Sequence, residues 1–121
     1  MNRNLLSTII LLFAASSIFG QRYLNEVFTS YQKVKDSVYA SNYEVLTGSP
    51  VLKGLKCDIY LPPASDTSTS RPLIILLHTG SFLPRYVNQN PTGDKSDSAT
   101  VEMCKRFAMR GFVVCAPAYR Q

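Results

Sequence analysis

Five bulky apolar residues, Leu73 to Leu77, run without interruption from Pro72 to His78, the only histidine of the chain. An unbroken run of that length predicts a strand covered on both faces, as in a parallel sheet. A different pattern precedes it. Leu55, Cys57, Ile59 and Leu61 alternate with Lys56, Asp58 and Tyr60, which predicts a strand burying the first set and wetting the second. Pro62 and Pro63 end it. Tyr43 to Thr47 reads as an earlier strand, and the glycines and proline of GSPVLKG (48–54) read as the connection between the two. Residues 22–42 fit two patterns, because Leu24, Val27, Phe28 and Tyr31 could share a helical face while Ser37 to Ala40 suits a strand. A short helix or turn followed by a strand is expected there.

The polar stretch ASDTSTS (64–70) reads as an exposed loop. After His78-Thr79-Gly80-Ser81-Phe82 comes a longer one, LPRYVNQNPTGDKSD (83–97), with GDKSD as a solvated turn. Loops of that length in a compact domain are usually functional or mobile. A helix is predicted over Ser98 to Arg110, with Val101, Cys104, Phe107 and Ala108 on one face and Glu102, Lys105 and Arg106 on another. Gly111 is placed to end it as a left-handed cap, with Arg106 and Arg110 near the negative end of the helix dipole. Phe112 to Ala116 then reads as a short apolar strand stopped by Pro117. Strand, helix and strand in that order form a βαβ unit, so 73–77 and 112–116 are expected to be parallel.

The first twenty residues carry one charge, Arg3, an apolar core from Leu5 to Phe19, and Gly20 before a polar segment. That is the pattern of a secretory signal peptide cut after Gly20. The core is too short and too rich in Ser and Thr to span a bilayer comfortably, so no stable membrane anchor is expected after cleavage. The domain reading is a signal peptide at 1–20 and one domain at 21–121, secreted or periplasmic.

The whole chain of 121 residues has a net charge of +5, and losing Arg3 leaves +4. The lysines and arginines are scattered among acidic residues, so a solvated surface is expected and nucleic-acid binding is not. Cys57, Cys104 and Cys115 permit one disulfide or three buried thiols, and their spacing fits no zinc site. No metal or other cofactor is expected.

His78-Thr79-Gly80-Ser81 therefore leaves the carboxyl end of a buried strand, the edge at which α/β sheets bind ligands. Glycine there lets backbone N–H groups face a substrate. Two readings follow: an anion-binding or oxyanion-binding loop, or an ordinary strand exit.

The succession CDIYLPP, RPLIILLHTGSF, GDKSD, CKRFAMRGFVV and PAYR, over roughly residues 55–120, resembles the amino-terminal part of secreted bacterial α/β-hydrolases of the carboxylesterase and lipase type. The resemblance implies an α/β fold, namely the first part of a mostly parallel sheet with a covering helix. It also implies a secreted serine-nucleophile hydrolase of carboxylic esters acting on a small ester substrate. Preorganised N–H donors stabilise the charge that develops on an ester carbonyl. Carried over by position, the backbone N–H groups of Gly80 and Ser81 would be those oxyanion-hole donors. His78 would brace the loop and not act as the base.

Thr79 and Ser81 stand where the fullest family pattern has glycine, and Ala118 where it often has Asp before Tyr119-Arg120. The segment from Phe82 to Gly93 is also longer than the family leads one to expect. No G-x-S-x-G elbow and no second histidine occur in the 121 residues. A loop without nucleophile and base does not split an ester at a useful rate. The expectation is thus the leading part of a longer hydrolase, inactive by itself. The alternatives are a short secreted binding or structural domain, or peptidase or deacetylase chemistry on the same fold.

Overall fold

A computed structural model describes residues 22–44, 48–80 and 93–119. Among these residues four strands and one helix follow in chain order: β1 (Gln32–Glu44), β2 (Val51–Leu61), β3 (Leu73–Ile75), α1 (Ser98–Met109) and β4 (Val113–Pro117). The strands form one sheet in the order β1-β2-β4-β3. β1 pairs antiparallel with β2, with Val34 opposite Ile59, and β2 pairs antiparallel with β4, with Ile59 opposite Cys115. Only β3 and β4 are parallel, with Leu73 beside Val113 and Ile75 beside Cys115.

This corrects the expected fold class. The sheet is small, mixed and mostly antiparallel, with a single helix among the described residues; it is not the mostly parallel, helix-covered sheet of an α/β-hydrolase. The parallel relation of β3 and β4 across α1 agrees with the βαβ reading. What the local pattern missed is the long β1–β2 hairpin. Its first strand runs unbroken through Tyr43 and its second already begins at Val51, inside the stretch read as a connection.

The core lies between α1 and one face of the sheet, where Tyr60, Val114 and Ala116 meet Cys104 and Ala108. Ile74, Leu76, Phe107, Phe112 and Tyr31 pack around them. The face of β2 turned to the helix is therefore the Asp58–Tyr60 set, the reverse of the face expected to be buried. Leu73, Ile75 and Leu77 are exposed, so β3 is covered on one face and not on both.

α1 ends as its sequence predicts. Gly111 sits at φ 97°, its N–H bonds the carbonyl of Ala108, and the N–H of Phe112 reaches the carbonyl of Phe107 at 3.1 Å. These are the two bonds of a Schellman motif. At the other end Asp97 does not cap α1 with its side chain. Its carboxylate turns back to accept the N–H groups of Gly93 and Asp94 at 2.7 and 3.1 Å, which closes the turn that leads into the helix.

The segment before β1 is held to the end of the helix. Val27 and Phe28 both donate N–H bonds to the carbonyl of Met109 at 3.0 Å, and Tyr23 packs on Phe112 with ring centroids 4.9 Å apart. Arg22 meets Asp66 at 2.5 Å, and Arg71 meets the same carboxylate oxygen at 2.7 Å. Hydrogen bonds from Arg22 and Arg71 hold the Asp66 carboxyl far below the usual carboxylate range against the opposing effect of burial.

Candidate functional site

The parallel pairing of β3 and β4 continues one residue past β3, where the N–H of Leu76 bonds the carbonyl of Cys115 at 2.9 Å. Beyond it the segment after β3 leaves the sheet, while β4 stays paired with β2 through Pro117, and the Ala118 N–H still bonds the carbonyl of Lys56 at 2.8 Å. The segment after β3 carries His78, Thr79 and Gly80, and the one after β4 carries Ala118 and Tyr119.

His78 is buried. Its Nδ1 lies 2.7 Å from the carbonyl of Thr79. A carbonyl only accepts, so Nδ1 carries the proton and donates. The imidazole is stacked on the ring of Tyr119, with centroids 4.3 Å apart and planes 10° from parallel. The Tyr119 hydroxyl also donates to the carbonyl of His78 at 2.9 Å. Gly80 has φ 134°, a backbone conformation that side-chain-bearing residues rarely adopt. The structure thus places His78 and Gly80 in one irregular stretch that bends at Gly80, while Ser81 lies outside the described residues.

The second group of polar residues is one the alternation in β2 concealed. Asp58, expected on the wet face, is 1% exposed. Its carboxylate takes the ammonium of Lys95, the ammonium of Lys33 at 2.8 Å and the backbone N–H of Asp36 at 3.1 Å. Lys95 also reaches the Asp36 carboxylate at 2.9 Å. GDKSD is therefore no solvated turn: its lysine is buried and pins residues 93–97 to β1 and β2.

Burial pushes the Asp58 carboxyl up, but the hydrogen bonds from Lys33, Lys95 and Asp36 outweigh it and leave the group below the ordinary range. Burial likewise pushes Lys33 and Lys95 down, and their bonds to Asp58 carry both above the usual lysine value. All four charged groups are held ionised near neutral pH. They form a structural tie with no spare base among them.

Cys57, Cys104 and Cys115 are free thiols. Burial pushes the Cys104 thiol up to about 11, and burial together with a hydrogen bond to Cys57 does the same for Cys115. Neither is a thiolate near neutral pH, so neither is primed as a nucleophile. Among the described residues no group of three or more His, Cys, Asp or Glu could hold a metal ion, and no helix is long and apolar enough to cross a membrane.

Sequence reasoning singled out the stretch from His78 and missed its partner. Tyr119 was visible only as part of PAYR, and nothing in a linear pattern reports a ring stack between residues 41 apart. Comparison of the chain with protein-family models, with curated proteins and with solved structures finds no match.

Proposed function

We propose that the chain supplies the oxyanion-stabilising turn of an exported, serine-nucleophile hydrolase of small carboxylic esters. The observation that supports this best is the turn itself: a buried, braced histidine followed by a glycine at φ 134°, where two parallel strands end. In this reading the backbone N–H groups of Gly80 and Ser81 donate to the carbonyl oxygen as negative charge grows on it. His78 holds the turn through its bond to Thr79 and transfers no proton to or from substrate. The nucleophile and the base come from outside the 121 residues, which contain neither a G-x-S-x-G elbow nor a second histidine.

The test uses the purified product of the complete reading frame. It should hydrolyse p-nitrophenyl acetate and be labelled on serine by a fluorophosphonate; failure of both rejects the proposal. Ser81→Pro removes one N–H donor and Ser81→Ala keeps it, so only the first should lower kcat, by on the order of a hundredfold, with KM little changed. Circular dichroism must show both variants folded, because proline also fixes φ. A fully active, folded Ser81→Pro protein would make the turn an ordinary strand exit.

A further inference from the structure

Tyr119 makes two contacts with a single residue across the exits of β3 and β4. Its ring covers the His78 imidazole, and its hydroxyl holds the His78 carbonyl. Both reach the backbone of the turn. The hydroxyl bond fixes the peptide plane between His78 and Thr79. The stack fixes the plane of the imidazole, whose Nδ1 holds the carbonyl of Thr79.

None of the described peptide bonds is cis, and in a planar trans peptide the N–H points opposite to the C=O. Holding the Thr79 oxygen therefore sets the direction of the Gly80 N–H. Two successive peptide planes are thus tied to one tyrosine, immediately before a glycine at φ 134°, a residue with wide conformational freedom.

We infer that Tyr119 is a positioning residue for the His78–Gly80 turn, aiming the backbone N–H of Gly80 through the His78 ring. The inference rests on the ester-hydrolase reading for its functional meaning. It makes Tyr119 a part of catalysis that never touches substrate, and it predicts that the hydroxyl and the ring contribute separately.

Tyr119→Phe keeps the stack and loses the hydroxyl bond; Tyr119→Leu loses both. In the product of the complete reading frame, with p-nitrophenyl acetate, kcat should fall about three- to tenfold for Tyr119→Phe, the effect of one lost hydrogen bond. It should fall further for Tyr119→Leu, with KM within about twofold of the parent in both. Parent kcat in both variants, or a rise in KM at constant kcat, overturns the inference.

Amide exchange at Gly80 gives a second reading that needs no activity, and it should quicken in the order parent, Tyr119→Phe, Tyr119→Leu. If the parent neither hydrolyses the ester nor takes the fluorophosphonate label, the hydrolase reading fails by itself. The exchange order then decides the positioning role: the graded increase upholds it, and equal rates in all three proteins overturn it.

Discussion

Asp58 takes hydrogen bonds from two lysines and one backbone N–H while almost wholly out of solvent. A carboxylate is tolerated there only because each charge is met. Asp58→Asn keeps an oxygen for the Asp36 N–H but leaves Lys95 and Lys33 without their shared counter-charge. Lys95 keeps Asp36, and Lys33 is partly in solvent, so the loss should lie near the lower end for a broken buried pair, about 3 kcal/mol. Urea unfolding at neutral pH measures it. The folded-state pKa of Asp58 lies below its ordinary value, so its contribution is present above about pH 4 and is lost as the pH falls through the folded value. The parent should therefore weaken on acidification below about pH 4, and Asp58→Asn should weaken less over the same interval. An unchanged acid limb in the variant would mean that other carboxylates, Asp66 first, carry it. The misreading of β2 has the same origin. Alternation separates two faces of a strand but does not say which face the helix covers, and a paired aspartate can sit on the covered one.

At the scale of elements, the end of α1 was legible and the place of β1 was not. The helix ends through the Gly111 N–H on Ala108 and the Phe112 N–H on Phe107, all within six residues, so the signal and the structure are equally local. The packing around Gly111 adds what the sequence could not show. A Cβ there would stand 2.8 Å from Nε of Arg22 and 3.1 Å from its Nη2. That side chain is not free to swing away, because Asp66 holds it. Gly111→Ala should thus carry two costs, the strain of φ 97° and the displacement of Arg22, together on the order of 2 kcal/mol. In an Arg22→Ala background only the first remains, so the penalty of Gly111→Ala should shrink there. Thermal melts of the four proteins form a double-mutant cycle, and strict additivity would show that Arg22 yields without cost. β1 illustrates the opposite case. Asp36 sits at φ 57° in a stretch where the register with β2 shifts between Val34 and Ser37, and its N–H and carboxylate are used by Asp58 and Lys95, 22 and 59 residues away. An irregularity stabilised from that distance leaves no short-range pattern.

For the molecule as a whole, the parallel pair was readable because β3, α1 and β4 are consecutive, whereas the insertion of β4 between β2 and β3 depends on pairing that periodicity cannot register. That pairing carries the apolar pattern of β3 across the sheet. Val34 lies opposite Ile59, Ile59 opposite Cys115, and Cys115 beside Ile75, so these four form one row on the face turned away from α1. Leu73 and Leu77 extend it along β3, and Ile75 is 63% exposed. Parallel strands are ordinarily covered on both faces, yet at the β3 end of this face Leu73, Ile75 and Leu77 stay exposed. Among the described residues β3 also ends the sheet, which leaves one side of its backbone open to another strand. An exposed apolar face beside an open strand edge favours self-association. Residues 21–121 expressed alone should therefore associate or precipitate in a concentration-dependent way. Ile75→Lys places a charge in the middle of the row without entering the core, where Ile74 and Leu76 do the packing, and a lysine at a sheet edge also blunts strand addition. The variant should stay monomeric at concentrations where the parent aggregates, with a melting temperature close to the parent's under dilute conditions. Sedimentation velocity over a concentration series checks the first expectation and scanning calorimetry the second. A parent that sediments as a monomer throughout and melts in one sharp cooperative transition would show that this face needs no cover.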